Sequence, residues 1–309
     1  MKKHKICKIL LVILAILLCV AFYELLGICI AYKKQPEVSN TTKRETKNGS
    51  WNECSENTER AVIIEKNPEA LLQRVRLIQN AKEEIILSTF AFKSDESGKL
   101  ILGALHDAAD RGVHIRLLVD GMESWIDMEG NPYFYGLSSH ENVEIKLYNK
   151  ANPLKPWKMM GRMHDKYLIA DGKTYILGGR NTYNYFLGDF PGHKNYDRDV
   201  LVVCNEPEKE NSVNQLLDYF ETIWDQEDSG YFHDNKKLAN RKSVKNAVLE
   251  LQNGYQKYFE ENKERICDTD YTDETFETEK IALVSNPIHT GSKEPVVWYQ
   301  LGELMKNAK

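Results

Sequence analysis

His164 and Lys166 stand two residues apart in the run Met163-His-Asp-Lys-Tyr-Leu-Ile-Ala, with Asp171 five residues after Lys166 and Gly178-Gly179-Arg180-Asn181 shortly beyond. Imidazole titrates near neutrality, so it can attack an electrophilic phosphorus and later leave it. A lysine ammonium is a compact charge that can hold phosphoryl oxygens as negative charge shifts in a transition state. The Asn181 carboxamide can donate a hydrogen bond, and glycines at 178 and 179 let backbone approach a ligand closely. Together these residue types suit a phosphate ester.

The local elements can bring them together. Tyr167-Leu-Ile-Ala and Thr174-Tyr-Ile-Leu are short apolar, β-branched and aromatic runs separated by Asp171-Gly172-Lys173. An Asp-Gly pair between two such runs is a strong hairpin signal. Alternation along a strand places His164 and Lys166 on one face. A tight loop at 172–173 sets His164 opposite Asn181, and one at 171–172 sets it opposite Gly179. Asp171 lies at the turn and at an odd offset from His164, which marks it on geometry as architectural.

The pattern H-x-K-x4-D followed by Gly-Gly-Arg-Asn resembles the signature of the phospholipase D superfamily, and the Arg162-Met163 flank with Gly178-Gly179-Arg180-Asn181 is most similar to its bacterial cardiolipin-synthase-like branch. The resemblance runs from about Ala61 to Asp225. Pro68–Lys82 and Glu83–Phe92 resemble the family's opening helix and first core strand, Leu100–Asp120 its next helix–strand unit, and Tyr196–Val200 with Phe220–Trp224 its closing strand and helix. It implies an α/β/α sandwich with a mixed central sheet, and a covalent phosphohistidine formed on His164. It groups His164, Lys166 and Asp171 as the catalytic set, with Gly179 and Asn181 binding the substrate phosphate. An acidic residue after the G-x-x-N segment orients the nucleophile in this family; Asp197 matches that place best, and Asp199 competes with it. No cofactor is implied.

The family builds one active site from two such motifs, and this sequence carries one. Pro68-EALLQRVRLIQ-Asn80-Ala81-Lys82 and Pro295-VVWYQLGELMK-Asn307-Ala308-Lys309 share their spacing at an offset of 227 residues, and short apolar runs precede each (Ala61–Ile64, Ile281–Val284). Residues 281–309 thus read as the start of a truncated second repeat, whose own His would fall near position 391. Phosphodiester exchange needs a proton donor for the leaving alkoxide opposite the nucleophile. That donor is expected from a homodimer partner, or from a second-half chain.

The remaining sequence sets the context. Residues 1–8 form a basic tail with four Lys, and 9–32 are almost continuously apolar apart from Glu24, long enough for a transmembrane helix, with a cleaved signal peptide as the alternative reading. The short leading tail places the N-terminus inside and the domain outside. Residues 33–58 read as a flexible tether, 59–227 as the phospholipase D-like domain, and 228–280 as a charged helical connector covering the gap between repeats. Without residues 1–34 the chain keeps 35 basic and 45 acidic residues, a formal charge of −10. That balance suits membrane phospholipids of phosphatidylglycerol type and disfavours nucleic acid. Cys54, Cys204 and Cys267 outside the apolar segment leave at most one bridge, Cys54–Cys267. The histidines at 4, 106, 114, 140, 193, 233 and 289 show no metal-ligand spacing, and no metal is expected. The expected reaction is phosphatidyl transfer in cell-membrane lipid, cardiolipin-synthase-like. Lipid hydrolysis, a dimeric nuclease-type phosphodiesterase, and a non-catalytic truncated partner are the rival readings.

Overall fold

The computed structural model describes residues 2–33, 35–49, 59–206 and 211–307. In chain order the helices are α1 (Lys2–Tyr32), α2 (Asn40–Asn48), α3 (Asn67–Asn80), α4 (Glu96–Asp110), α5 (Gly121–Asp127), α6 (Pro132–Ser138), α7 (Ser212–Trp224), α8 (Lys242–Cys267) and α9 (Val296–Asn307). The strands are β1 (Glu59–Ile64), β2 (Glu84–Thr89), β3 (His114–Asp120), β4 (Val143–Tyr148), β5 (Lys166–Ala170), β6 (Thr174–Gly178), β7 (Asp199–Cys204), β8 (Ser229–Tyr231) and β9 (Phe276–Glu277). They fall into two compact units: residues 49–150 with 163–283, and residues 1–48 with 151–162 and 284–309.

The larger unit is built on one mixed nine-stranded sheet in the order β8-β4-β3-β2-β5-β6-β7-β1-β9. β2, β3 and β4 are parallel, and the remaining pairs are antiparallel. Alternation decides which face each residue serves. Ile115, Leu117 and Val119 of β3, with Leu168, Ala170 and Ile176 of the β5–β6 hairpin, join the core beneath α3, α4, α6 and α8. Each fully buried Leu or Ile there contributes roughly 1.5–3 kcal/mol. On the opposite face Tyr167 meets Phe220 of α7 edge to face at 6.5 Å, and the Tyr175 hydroxyl pairs with Ser212 Oγ at 2.9 Å. The α/β/α sandwich with a mixed sheet is therefore the architecture found.

Three boundaries differ from the sequence reading. Residues 228–280 are part of the domain itself. β8 and β9 extend the sheet at its two ends, and α8 buries Val244, Ala247, Leu251 and Tyr255 against the domain's own helical layer. An amphipathic helix long enough to cover α4 and α6 lowers its free energy there without needing a second repeat. The 33–58 segment contains α2, while residues 50–58, Cys54 included, lie outside the described residues; Cys267 is an exposed free thiol. Ile281–Val284 forms no strand, and α9 follows as the expected helix, its last two repeat residues lying outside the described part.

In the smaller unit, α1 carries a 29-residue stretch, His4–Tyr32, within which an 18-residue window reaches a mean hydropathy of 2.9. It is long and apolar enough to cross a membrane. The Tyr23 hydroxyl donates to the Leu154 carbonyl at 3.0 Å, and Ser292 Oγ donates to the Ala31 carbonyl at 3.1 Å.

Candidate functional site

The hairpin that carries the motif closes through a three-residue loop. Tyr167 faces Leu177 and Ala170 faces Thr174, so the register is neither of the two expected from a two-residue turn. Asp171 and Gly172 both take positive φ, 51° and 59°, and Lys173 N–H closes back on the Ala170 carbonyl at 3.0 Å. Asp tolerates this left-handed conformation and Gly adopts it freely, so two consecutive residues can turn the chain. The observed register sets Lys166 level with Gly178.

At the open end of the hairpin, His164 is exposed and Lys166 is buried, with 6% of its surface exposed. Lys166 Nζ lies 2.8 Å from His164 Nδ1 and donates to the His164 carbonyl at 2.7 Å. Phe90, just past β2, packs its ring 4.6 Å from the imidazole at 59°, and Lys166 Nζ sits 5.4 Å over the same ring. Burial pushes the Lys166 ammonium down to about 8, opposed by the nearby charges of Asp165 and Asp197. A lysine with one apolar wall and a lowered proton affinity is poised to take an anion, which restores the favourable field that burial removed.

The Gly178–Asn181 segment is fitted to this end from two sides. A Cβ on Gly179 would strike the Asp197 carboxylate, and one on Gly178 would strike Asp199. The glycines therefore admit the protein's own carboxylates, a different use from the ligand approach expected. Arg180 is buried and donates to the Asn67 side chain and to the carbonyls of Ile64 and Glu65 at 2.7–3.1 Å, pinning the segment to the β1–α3 junction. Asn181 Oδ1 accepts from Ala91 N–H at 3.2 Å, beside Phe90. That bond fixes which way the carboxamide points.

The two candidate orienting aspartates separate. Asp199 opens β7 but is fully buried, with Oδ2 2.9 Å from Arg74 and 3.3 Å from Arg180. Two guanidiniums neutralise it, so its carboxylate holds the fold and is committed away from the nucleophile. Asp197 precedes the strand by two residues, is half-buried beside Gly179, and accepts from Arg198 N–H at 2.7 Å while its charge acts on Lys166. Of the pair, Asp197 is the one that belongs to the site.

Asp171 is corrected in the other direction. Its carboxylate accepts from the backbone N–H groups of Lys82, Glu83 and Glu84 at 2.8–3.2 Å. It sits at the far end of β5, five residues and roughly 16 Å of strand from Lys166. The residue clamps the hairpin loop to the start of β2 and takes no place beside the imidazole, as its position at the turn suggested.

Two residues escaped the sequence reading. Phe90 supplies the wall described above; its signal was a phenylalanine closing the apolar run of the first core strand. Asp120, fully buried at the end of β3, accepts from Met163 N–H at 3.2 Å through Oδ2 and from Met122 N–H at 3.0 Å through Oδ1. It thereby caps α5 and fixes the backbone immediately before His164. An Asp-Gly pair at the end of an apolar run was its only trace. Among the described residues, no group of three or more His, Cys, Asp or Glu side chains is arranged to hold a metal ion.

Residues 74–224 match the family described as cardiolipin synthase, PLD-like domain. The chain is 29% identical to cardiolipin synthase C of Escherichia coli (strain K12) over 175 residues, 52% of this chain and 34% of that protein. It is 34% identical to cardiolipin synthase 1 of Staphylococcus aureus (strain MRSA252) over 129 residues, 41% of this chain and 25% of that protein. An uncharacterised protein of Helicobacter pylori (strain J99) matches at 30% over 212 residues, 64% of this chain and 39% of that protein. The chain thus spans 25–39% of the length of these relatives. Among solved structures, the phosphatidylserine synthase of Haemophilus influenzae Rd KW20 superposes with a TM-score of 0.46 at 17% identity, over 72% of this chain and 48% of that one. NucT from Helicobacter pylori gives 0.44 at 17%, over 56% of this chain and 99% of that one. The domain over 74–224 belongs to the phospholipase D superfamily, on its cardiolipin-synthase-like side.

Proposed function

We propose that the chain is a membrane-anchored phosphatidyltransferase acting through a phosphohistidine at His164. The observation that carries this reading is an exposed imidazole with the buried Lys166 ammonium 2.8 Å from its Nδ1. With Nδ1 accepting from Lys166, the neutral ring holds its proton on Nε2. A phosphodiester entering beside Lys166 draws the ammonium onto its phosphoryl oxygens, and the exposed ring then gives its Nε2 proton to water and takes one from water on the freed Nδ1, on the side of Asp197. Nε2 then attacks phosphorus, and the P–O bond to the headgroup alcohol breaks. The Asn181 carboxamide and the Lys166 ammonium hold the charged oxygens through the transition state. A second alcohol takes the phosphatidyl group by the reverse path. With phosphatidylglycerol as donor and acceptor the product is cardiolipin; with water it is phosphatidic acid. Gly179 serves by making room for Asp197, and Asp171 by holding the hairpin.

The departing alkoxide needs a proton from the side opposite His164. That donor comes from a second motif outside residues 1–309, on a partner chain or a second half. The matching spacing of α3 and α9 supports a second repeat, because Trp298 and Met305 of α9 stand 80% and 78% exposed where their α3 counterparts, Leu71 and Ile78, are buried. α1 anchors the chain in the cell membrane, with the four lysines of the short leading tail inside and the domain outside.

The test is lipid turnover by the full chain in vesicles of phosphatidylglycerol, following cardiolipin and phosphatidic acid, alone and with a second-motif partner. His164→Ala must abolish both products. Retained turnover in that variant defeats the proposal, and cleavage of single-stranded DNA without metal in place of lipid transfer would select the nuclease reading.

A further inference from the structure

Residues 151–162, Ala-Asn-Pro-Leu-Lys-Pro-Trp-Lys-Met-Met-Gly-Arg, have no part in the chemistry above, yet only Met163 separates them from His164 in the chain. Their composition is unlike the rest of the molecule. Lys155, Lys158 and Arg162 carry three positive charges with no acidic residue, while the chain after residue 34 has a formal charge of −10. Interleaved with those cations, Leu154 (just before Lys155), Trp157 and Met160 are 77%, 45% and 57% exposed. Large apolar side chains left in water beside lysines form the pattern of a segment that lies at a lipid headgroup layer.

The contacts of the smaller unit fix the depth of this segment along α1. The Tyr23 hydroxyl donates to the Leu154 carbonyl at 3.0 Å. Gly27 lies so close to the short helical turn Pro156–Lys158 that a Cβ there would come within 2.5 Å of Pro156 Cγ. Glu24, Gly27, Ile28 and Ala31, at helical spacing on one face, are less exposed than their neighbours. Beyond them Ser292 and Thr290 bond Ala31 and the Tyr32 hydroxyl. About 20 apolar residues cross the hydrocarbon core. Counted from Ile9, the first residue after Lys8, such a span ends near Ile28. Leu154 and Pro156 therefore meet α1 where it leaves the hydrocarbon.

We propose that residues 151–162 form an interfacial docking element, which inserts Leu154, Trp157 and Met160 at the acyl–headgroup boundary of an anionic bilayer while Lys155 and Lys158 engage its phosphates. The inference rests on α1 spanning the membrane, and it adds a partner surface to the proposed lipid reaction. Its consequence is functional: the chain enters the motif directly from a segment held in the lipid layer, one residue before His164. Glu24 lies between Tyr23 and Gly27, two residues of α1 that meet this element, and its Oε2 is buried without a hydrogen-bond partner among the described residues.

The test uses the full chain in vesicles of phosphatidylcholine with and without phosphatidylglycerol. Subtracting the emission of Trp157→Phe from that of the wild type isolates the Trp157 signal. Quenching of that signal by lipids brominated near the ester end of the acyl chain, with protection from aqueous iodide, is the expected result. Quenching by iodide with no response to brominated lipid overturns the proposal. Lys155→Ser/Lys158→Ser should lose the extra lipid quenching seen with phosphatidylglycerol; equal quenching in both vesicle types also counts against it. Leu154→Ser/Trp157→Ser/Met160→Ser should slow turnover of bilayer phosphatidylglycerol and spare a water-soluble short-chain phosphodiester. Equal loss on both substrates would assign the loop a role in folding. Absence of turnover with the quenching pattern intact would defeat the reaction and leave the docking element standing.

Discussion

Replacing Lys166 with Met should stabilise the protein while abolishing its activity. The ammonium lies under the surface at 6% exposure, and burial lowers its pKa from 10.5 to about 8. At about 1.36 kcal/mol per pKa unit, the charged form is held in the fold at a penalty of about 3 kcal/mol. Met has a similar length and carries no charge to desolvate. It forfeits the hydrogen bonds to the His164 carbonyl and to His164 Nδ1, about 1 kcal/mol each. The net gain at pH 7 is then about 1 kcal/mol, or roughly 2–4 °C in melting temperature for a domain of this size. The sign with pH follows from linkage. Below the folded pKa near 8, the lysine is protonated in both states and the penalty is complete. Between about 8 and 10.5 the unfolded chain binds more protons, so the wild type gains stability as pH rises. The penalty should shrink from about 3 kcal/mol at pH 7 to about 1 kcal/mol at pH 10. Denaturant unfolding of the full chain in detergent at both pH values, beside lipid turnover, measures all of this. A variant destabilised equally at pH 7 and pH 10 would refute the reasoning, since the buried charge would then not be the source of the penalty.

Three further substitutions separate holding the fold from performing the reaction. Asp171→Ala leaves three backbone N–H groups of the α3–β2 loop without their acceptor; a loss of about 2–3 kcal/mol is expected in denaturant unfolding, with turnover per folded molecule little changed. Gly179→Ala drives a methyl group into the Asp197 carboxylate; turnover should fall at least about tenfold, near 1.4 kcal/mol in barrier, and Asp197→Asn should match it while the melting temperature of each stays close to the wild type. Arg180→Met removes one of the two guanidiniums from the buried Asp199 carboxylate and three further hydrogen bonds from the β1–α3 junction. Loss of a buried partner of this kind costs about 3–5 kcal/mol, so unfolding should occur at markedly lower urea.

Much of the site was legible because it is local. His164, Lys166 and the turn at Asp171-Gly172 lie within nine residues, and hairpin chemistry alone predicts that they sit on one ribbon with Gly178–Asn181 returning beside them. The register was not legible, since Asp-Gly permits more than one loop length, and the choice fell to positive φ at both Asp171 and Gly172. The distinction between Asp197 and Asp199 was equally out of reach. Both are acidic residues near the start of one strand, and only the arrival of Arg74 from α3 and Arg180 from the Gly-rich segment commits Asp199 to the interior.

Residue type and spacing over a few neighbouring positions determined the hairpin that carries the motif, its suitability for a phosphate and the apolar first helix, while the α/β class was implied by the motif's resemblance to a known family. The packing of elements far apart in the chain decided the rest: Phe90 against the imidazole, Asp120 beneath Met163, the descent of the lysine's proton affinity, and the absorption of 228–280 into the domain. Burial and electrostatic environment depend on what surrounds a group in space, and no local pattern of residues encodes that.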